Sequence, residues 1–256
     1  STESETDTSI RMYPLILLYN GELHPFNPSN VDYYEPTTTR SGSLQIEPYY
    51  RLKLKCGKEV KVPCYLQLPE MKTKFGYSYS DQYNSHKIEM GFDSETKGLL
   101  QCLEELDLHN KKNCFKNKSF WFKNSNEITE EVLGFLFQGL VKCDNTNNNK
   151  RTIEDYTENN AYTKCRKFLR CKIDAYTKDG VERLNVVCYG PGSNQDDHKI
   201  VNPSQITPGA TISTIVQFTK LYMGEKVYSC FNAKQIQIEQ VGQLKGYGFV
   251  KKQKLV

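Results

Sequence analysis

The stretch ISTIVQFTKLYMGEKVYSCFNAKQIQIEQV, residues 212–241, decides the fold class. It is rich in β-branched and aromatic residues and broken at Gly224-Glu225, so it predicts strands ISTIVQFTKLYM, KVYSCF and AKQIQIEQV around a tight turn. Upstream, FLRCKIDAY (168–176) and VERLNVVCY (181–189) are two more strands, joined through Lys178-Asp179-Gly180. The N-terminal part has the same character. RMYPLILLY (11–19) predicts a buried strand followed by the Pro/Asn/Gly-rich loop GELHPFNPSN. LQIEPYYRLKLKC (44–56), in which Leu52 and Leu54 alternate with Arg51, Lys53 and Lys55, pairs with EVKVPCYLQL (59–68) as a hairpin through Gly57-Lys58.

Between these strand regions lie two helical patterns. DSETKGLLQCLEELDLHN (93–110) has Asp93 or Ser94 to cap it, and Leu99, Leu103 and Leu106 recur at helical spacing. NEITEEVLGFLFQGLVK (126–142) has Asn126 as cap, early Glu residues where the helix dipole favours them, and a stripe of Val132, Leu136 and Leu140. Strands, then helices, then strands, without βαβ alternation, predict a mainly β fold: an antiparallel sheet or barrel carrying a helical insertion. All-β barrels reach 256 residues as one unit, so one elaborated domain over 11–243 is expected. Residues 1–10, with Glu3, Glu5 and Asp7, are expected to be a disordered acidic tail or cloning remnant, and 244–256 a basic tail.

Formal charge is +4, which decides little by itself. The nine cysteines form no CxxC pair and there is no signal-peptide pattern, so reduced thiols in a cytoplasmic or nuclear compartment are expected, not secretion. Cys165 and Cys171 with four scattered histidines do not make a zinc site, and Asp196-Asp197-His198 reads as solvated turn residues. The apolar run from Leu15 to Tyr19 is too short to span a bilayer. A Walker-type loop, an HExxH motif, a GxGxxG after a strand and a Gly-flanked serine are all missing, so no enzyme, metal or cofactor is expected. Gly246-Tyr247-Gly248 is a flexible element, not a phosphate loop.

What recurs is basic residues interleaved with aromatics. Tyr49, Tyr50, Arg51, Lys53 and Lys55 form one segment, and Lys72, Lys74, Phe75, Tyr77 and Tyr79 another. KKNCFKNKSFWFKN (111–124) contains Lys123 and the single tryptophan, Trp121; Lys164, Arg166, Lys167, Arg170 and Lys172 form a further run without acids. Single-strand binders need cations that track phosphates and exposed rings on which bases stack. If 119–123 is a strand, Phe120 and Phe122 face the core while Trp121 and Lys123 face outward, where the indole can stack.

LPEMKTKFGYS (68–78) followed by HKIEMGF, then SFWFK, CKIDAYTKDG and PGATISTIVQFTKLYMGEKVYSCFNAKQIQIEQV, spans roughly residues 44–241 in order. This series resembles the single-stranded DNA-binding proteins of nucleocytoplasmic large DNA viruses. The resemblance implies an OB-like barrel elaborated with two helices and long loops, and a role in viral DNA replication, recombination or repair. Near Leu221, Tyr222 and Phe231 this chain lacks the tryptophans that the family pattern leads one to expect. The site expected from both lines of reasoning comprises Tyr49, Arg51, Lys53, Lys72, Lys74, Phe75, Tyr77, Trp121, Lys123, Arg170 and Lys172. Expected partners are single-stranded DNA or RNA, replication proteins and further copies along the strand, with no membrane. Two alternatives stay open: an RNA-binding factor, and a structural or interaction protein of a DNA virus without nucleic-acid specificity.

Overall fold

Alternation of apolar and polar residues makes the long strands, and their register makes the frame. The computed structural model describes residues 16–18, 25–39, 42–144, 166–194 and 197–242. The tails expected over 1–10 and 244–256, and Gly246-Tyr247-Gly248, lie outside them.

The N-terminal strands are β1 (Ile16–Leu18), β2 (Val31–Tyr33), β3 (Thr37–Thr38), β4 (Leu44–Ile46), β5 (Pro48–Lys53), β6 (Glu59–Pro63) and β7 (Tyr65–Gln67). The hairpin β8 (Met71–Ser80) and β9 (Ser85–Gly91) follows, then helices α1 (Lys97–Lys116), α2 (Lys118–Trp121) and α3 (Glu130–Leu136). Strands resume with β10 (Phe137–Gln138), β11 (Val141–Asp144), β12 (Arg166–Ile173), β13 (Ala175–Lys178) and β14 (Val181–Leu184). The last four are β15 (Val187–Tyr189), β16 (Ile200–Val201), β17 (Thr211–Met223) and β18 (Val227–Gln240).

Five of these strands close on themselves: β8 pairs with β9, β9 with β12, β12 with β18, β18 with β17, and β17 returns to β8. This is an OB-type barrel, as expected, with one of its seams parallel: Cys171 faces Phe231 and Lys172 faces Asn232 across β12 and β18. The β8–β17 seam is equally short, through Lys72 with Thr211 and Met71 with Ile212. The interior fills from alternate positions, including Ile88, Met90, Leu169, Cys171, Ile212, Val216, Phe218, Phe231, Ala233 and Ile236. Phe218 and Phe231 meet edge to face at 5.6 Å across the β17–β18 pair. The expected hairpins through Gly57-Lys58, Asp179-Gly180 and Gly224-Glu225 all form. At the second, Asp179 (φ 55°) and Gly180 (φ 75°) adopt the left-handed pair that a two-residue turn requires. Strands β2, β5 and β6 make a separate sheet.

β8 bends at a bulge between Thr73 and Tyr77. The bend is pinned by the loop before β17: Thr73 N and Tyr77 N donate to Ala210 O and Ile206 O, and Thr73 Oγ1 donates to Thr207 O. Gly76 lies at the contact with φ +69°, and a Cβ there would stand 2.2 Å from Ile206 O. Gly76→Ala is therefore expected to destabilise the fold by about 1–3 kcal/mol, from backbone strain and displacement of that carbonyl. Chemical denaturation of the two proteins checks this, and an unchanged midpoint would show the loop free to yield.

The helical insertion departs from expectation in three ways. Asp93 accepts from Glu95 N, Thr96 N and Thr96 Oγ1, which holds its carboxyl below the usual range, but α1 begins four residues later, at Lys97. The basic segment is also helical, α1 reaching Lys116 and α2 covering Lys118–Trp121, where a strand was expected over 119–123. Residues 111–121 contain no β-branched side chain, and the buried stripe Leu99, Leu103, Leu106, Asn110 and Cys114 continues at helical spacing to Trp121 in α2. Finally, α3 is only seven residues long, capped by Thr129, whose Oγ1 accepts from Val132 N. Its buried residue is Leu133, while Val132 is 37% exposed. The second half of the expected helix, FQGLVK, is captured by strand edges: β10 lies on β18 and β11 on β12. Leu140 N and Val141 N donate to Asp107 on α1, where burial raises the carboxyl to about 6 although both hydrogen bonds favour the anion.

Among the described residues seven cysteines are free, and burial pushes the thiols of Cys64, Cys114 and Cys188 up to about 12, which makes them poor nucleophiles and poor ligands. Cys143 departs from the expectation of reduced thiols, being disulfide-bonded.

Candidate nucleic-acid interface

On β12 the inward residues Leu169, Cys171 and Ile173 leave Arg170 and Lys172 on the outer face. Antiparallel pairing sets β9 beside them, so Lys172 faces Lys87 and Arg170 faces Glu89. Lys87 is in turn opposite Ser78 of β8, giving a cross-strand row of Ser78, Lys87 and Lys172. A second row runs Lys72, Gly91, Phe168 and Lys142. Like charges brought this close would repel in water, and Glu89 offsets part of that repulsion. Its carboxylate, 4% exposed, takes Arg170 Nε and Nη2 at 2.7 Å each through Oε1, with Lys87 Nζ at 3.4 Å. These contacts fix the guanidinium against the sheet.

The rest of the site comes from the far end of the β17–β18 hairpin. A bulge between Phe218 and Lys220 shifts the alternation, so Leu221 and Met223 pack inward while Lys220 and Tyr222 face Cys230 and Tyr228. Lys220 Nζ donates to Gln45 Oε1 at 3.3 Å. Together these faces line a groove of about 730 Å³ bordered by Lys87, Lys142, Arg170, Lys172, Lys220, Tyr222, Tyr228, Ser80, Ser85 and Cys230. Five cations and no acid border it. Lys142 is half-buried; burial pulls its ammonium down, Asp107 supports it, and Arg170 and Lys172 add to the downward pull. At the β8 bulge, Lys74 Nζ sits 4.9 Å from the Phe75 ring and 4.7 Å from the Phe168 ring, with Phe75 57% exposed.

Of the residues expected from sequence, Arg170 and Lys172 line the groove, and Lys72, Lys74 and Phe75 lie on the strand beside it. Tyr77 is turned to the buried His86, sharing a 2.6 Å hydrogen bond with Nδ1. Tyr49, Arg51 and Lys53 sit on the separate β2–β5–β6 sheet and do not line the groove. There Tyr49 is buried under Lys61 at 4.4 Å, and Arg51 donates to Ser29 O and lies 4.0 Å from Asp32. Trp121 corrects the expectation outright: it is helical, 5% exposed, and its ring meets Tyr33 edge to face at 5.5 Å. Lys123, exposed just after α2, is likewise away from the groove lining. Lys87, Lys142 and Lys220 are not marked by the sequence because each stands apart from other Lys or Arg residues, and Tyr222 and Tyr228 because only a single lysine lies near each. Among the described residues, no group of three His, Cys, Asp or Glu is arranged to hold a metal.

No protein-family model matches the chain, and no curated relative does. Solved structures to which it is similar include the single-stranded DNA-binding protein from bacteriophage Enc34, at 8% identity and a TM-score of 0.41, covering 86% of this chain and 96% of that one. The Enc34 protein in complex with ssDNA matches at 8% identity and 0.41, over 83% of this chain and 98% of that one. A third is gp2.5, a single-stranded DNA-binding protein encoded by bacteriophage T7, at 10% identity and 0.41, over 76% and 99%.

Proposed function

We propose that this chain binds single-stranded DNA in the groove on the outer face of its barrel, coating strands during replication, recombination or repair without chemistry of its own. The observation that carries the reading is the lining of that groove: five cations, no acid, and the rings of Tyr222 and Tyr228, of which Tyr228 is 43% exposed. OB barrels bind oligonucleotides on the face of the second and third strands and at the loop joining the fourth to the fifth, and β9, β12 and the β17–β18 turn are those elements here. Lysine and arginine neutralise phosphates, while tyrosine rings give the bases a stacking surface that tolerates any sequence.

Titration of a homopolymeric single strand at several salt concentrations tests the proposal. With up to five cations each neutralising one phosphate, log K should fall against log salt with a slope no steeper than about −3.5, at about −0.7 per phosphate. An affinity that ignores salt overturns the reading.

A further inference from the structure

Beyond the phosphate lane, the same strands run into a second cavity of a different chemistry. It has a volume of about 340 Å³, lies between the end of β12 and the β13–β14 hairpin, and shares Ser85 and Lys172 with the groove. Its remaining polar lining comprises Asn84, His86, Asp174, Tyr176, Thr177 and Glu182. Two carboxylates make it hostile to phosphate, and their side chains stay 47% and 49% exposed. Asp174 Oδ2 accepts from Asn232 Nδ2 and lies 3.5 Å from Lys234 Nζ, which fixes its position. His86 is 6% exposed, and its Nδ1 is taken by Tyr77. Its Nε2 stands 3.4 Å from Glu182 Oε2 without hydrogen-bond geometry, and this buried polar atom has no hydrogen-bond partner. Tyr176, 48% exposed, presents a ring at the same place.

From this juxtaposition we infer that the cavity is a base-reading subsite for a nucleobase with an exocyclic amine, seated against Tyr176 with its amine on the carboxylates, next to the phosphate held by Lys172. The inference rests on the groove reading above. A flexible single strand can splay one base off the stack, and a carboxylate accepts from the N4 amine of cytosine. Cytosine, adenine and guanine carry such an amine; thymine and uracil do not. The subsite therefore makes the protein prefer cytosine to thymine, two pyrimidines of similar stacking strength.

The test is fluorescence anisotropy with labelled oligo-dC and oligo-dT of equal length at one salt concentration. Oligo-dC should bind tighter by about two- to tenfold, the span of one net hydrogen bond. Glu182→Ala, at a half-exposed site that leaves the barrel intact, should bring the ratio towards unity while keeping oligo-dT binding. Tyr176→Ala should weaken both ligands together. Equal binding, a preference for oligo-dT, or a dC preference that survives Glu182→Ala overturns the subsite. If neither oligonucleotide binds, the groove reading itself fails and the subsite falls with it.

Discussion

Truncating Trp121 to alanine is expected to lower the stability of the fold by about 3–5 kcal/mol, as for other buried large aromatics, and to leave the affinity of the remaining folded protein for single strands unchanged. The indole packs against Tyr33, whose hydroxyl donates to the buried Asn110 of α1, and Asn110 Nδ2 donates in turn to Ser229 Oγ on β18 at 3.3 Å. Burial raises the Tyr33 phenol well above its ordinary pKa, so it stays a neutral donor in this chain of contacts. Removing the ring opens a void and loosens the tie between helices and barrel. Denaturant melts of wild type and Trp121→Ala measure the loss. Oligo-dT should leave the wild-type fluorescence nearly unchanged, and strong quenching with an unaltered melt would contradict the burial of this side chain.

Reversing charge in the groove should do the opposite, sparing the fold and strongly weakening binding. Lys172→Glu together with Lys220→Glu removes two of the five cations and adds two acids where none lines the groove. Each lost phosphate contact forfeits its counterion release, and each new carboxylate repels the strand, so affinity near physiological salt should drop about a hundredfold. The salt slope of the residual binding should flatten as well. Lys172 is exposed and Lys220 half-buried, so melting should shift little. Retention of wild-type affinity would place the strand elsewhere, and the basic β5–β6 sheet bearing Arg51, Lys53 and Lys61 would then be the surface to test.

The strands were legible wherever alternation was strong. Residues 211–223 and 227–240 became the two longest strands, joined at the turn expected for them. In the basic segment 111–124 the local composition masks the period: Trp121 stands seven residues after Cys114 on a stripe begun at Leu99. The site was legible only in part, since its cations are scattered along the sequence. Lys87 sits between His86 and Ile88, and Lys220 between Thr219 and Leu221, each without another Lys or Arg beside it. Register across β9, β12 and β17 is what assembles them, and register is a tertiary property. Tyr49, Arg51 and Lys53 show the converse, a contiguous basic-aromatic run whose sheet lies apart from the groove.

The two short seams that close the barrel set an order on its making. β8 meets β17 through residues 71–72 and 211–212, and β12 meets β18 through 171–172 and 231–232, so the first seam waits for β17 to leave the ribosome and the second for β18. Until then β8, β9 and β12 present an open edge, and Lys87 and Lys172 lack Lys220 and the tyrosine pair across the groove. Such distant pairings slow folding, because loop closure must precede the contacts that reward it. Nascent chains thus acquire the complete groove only once β18 has emerged, and the waiting strands are where premature association would begin.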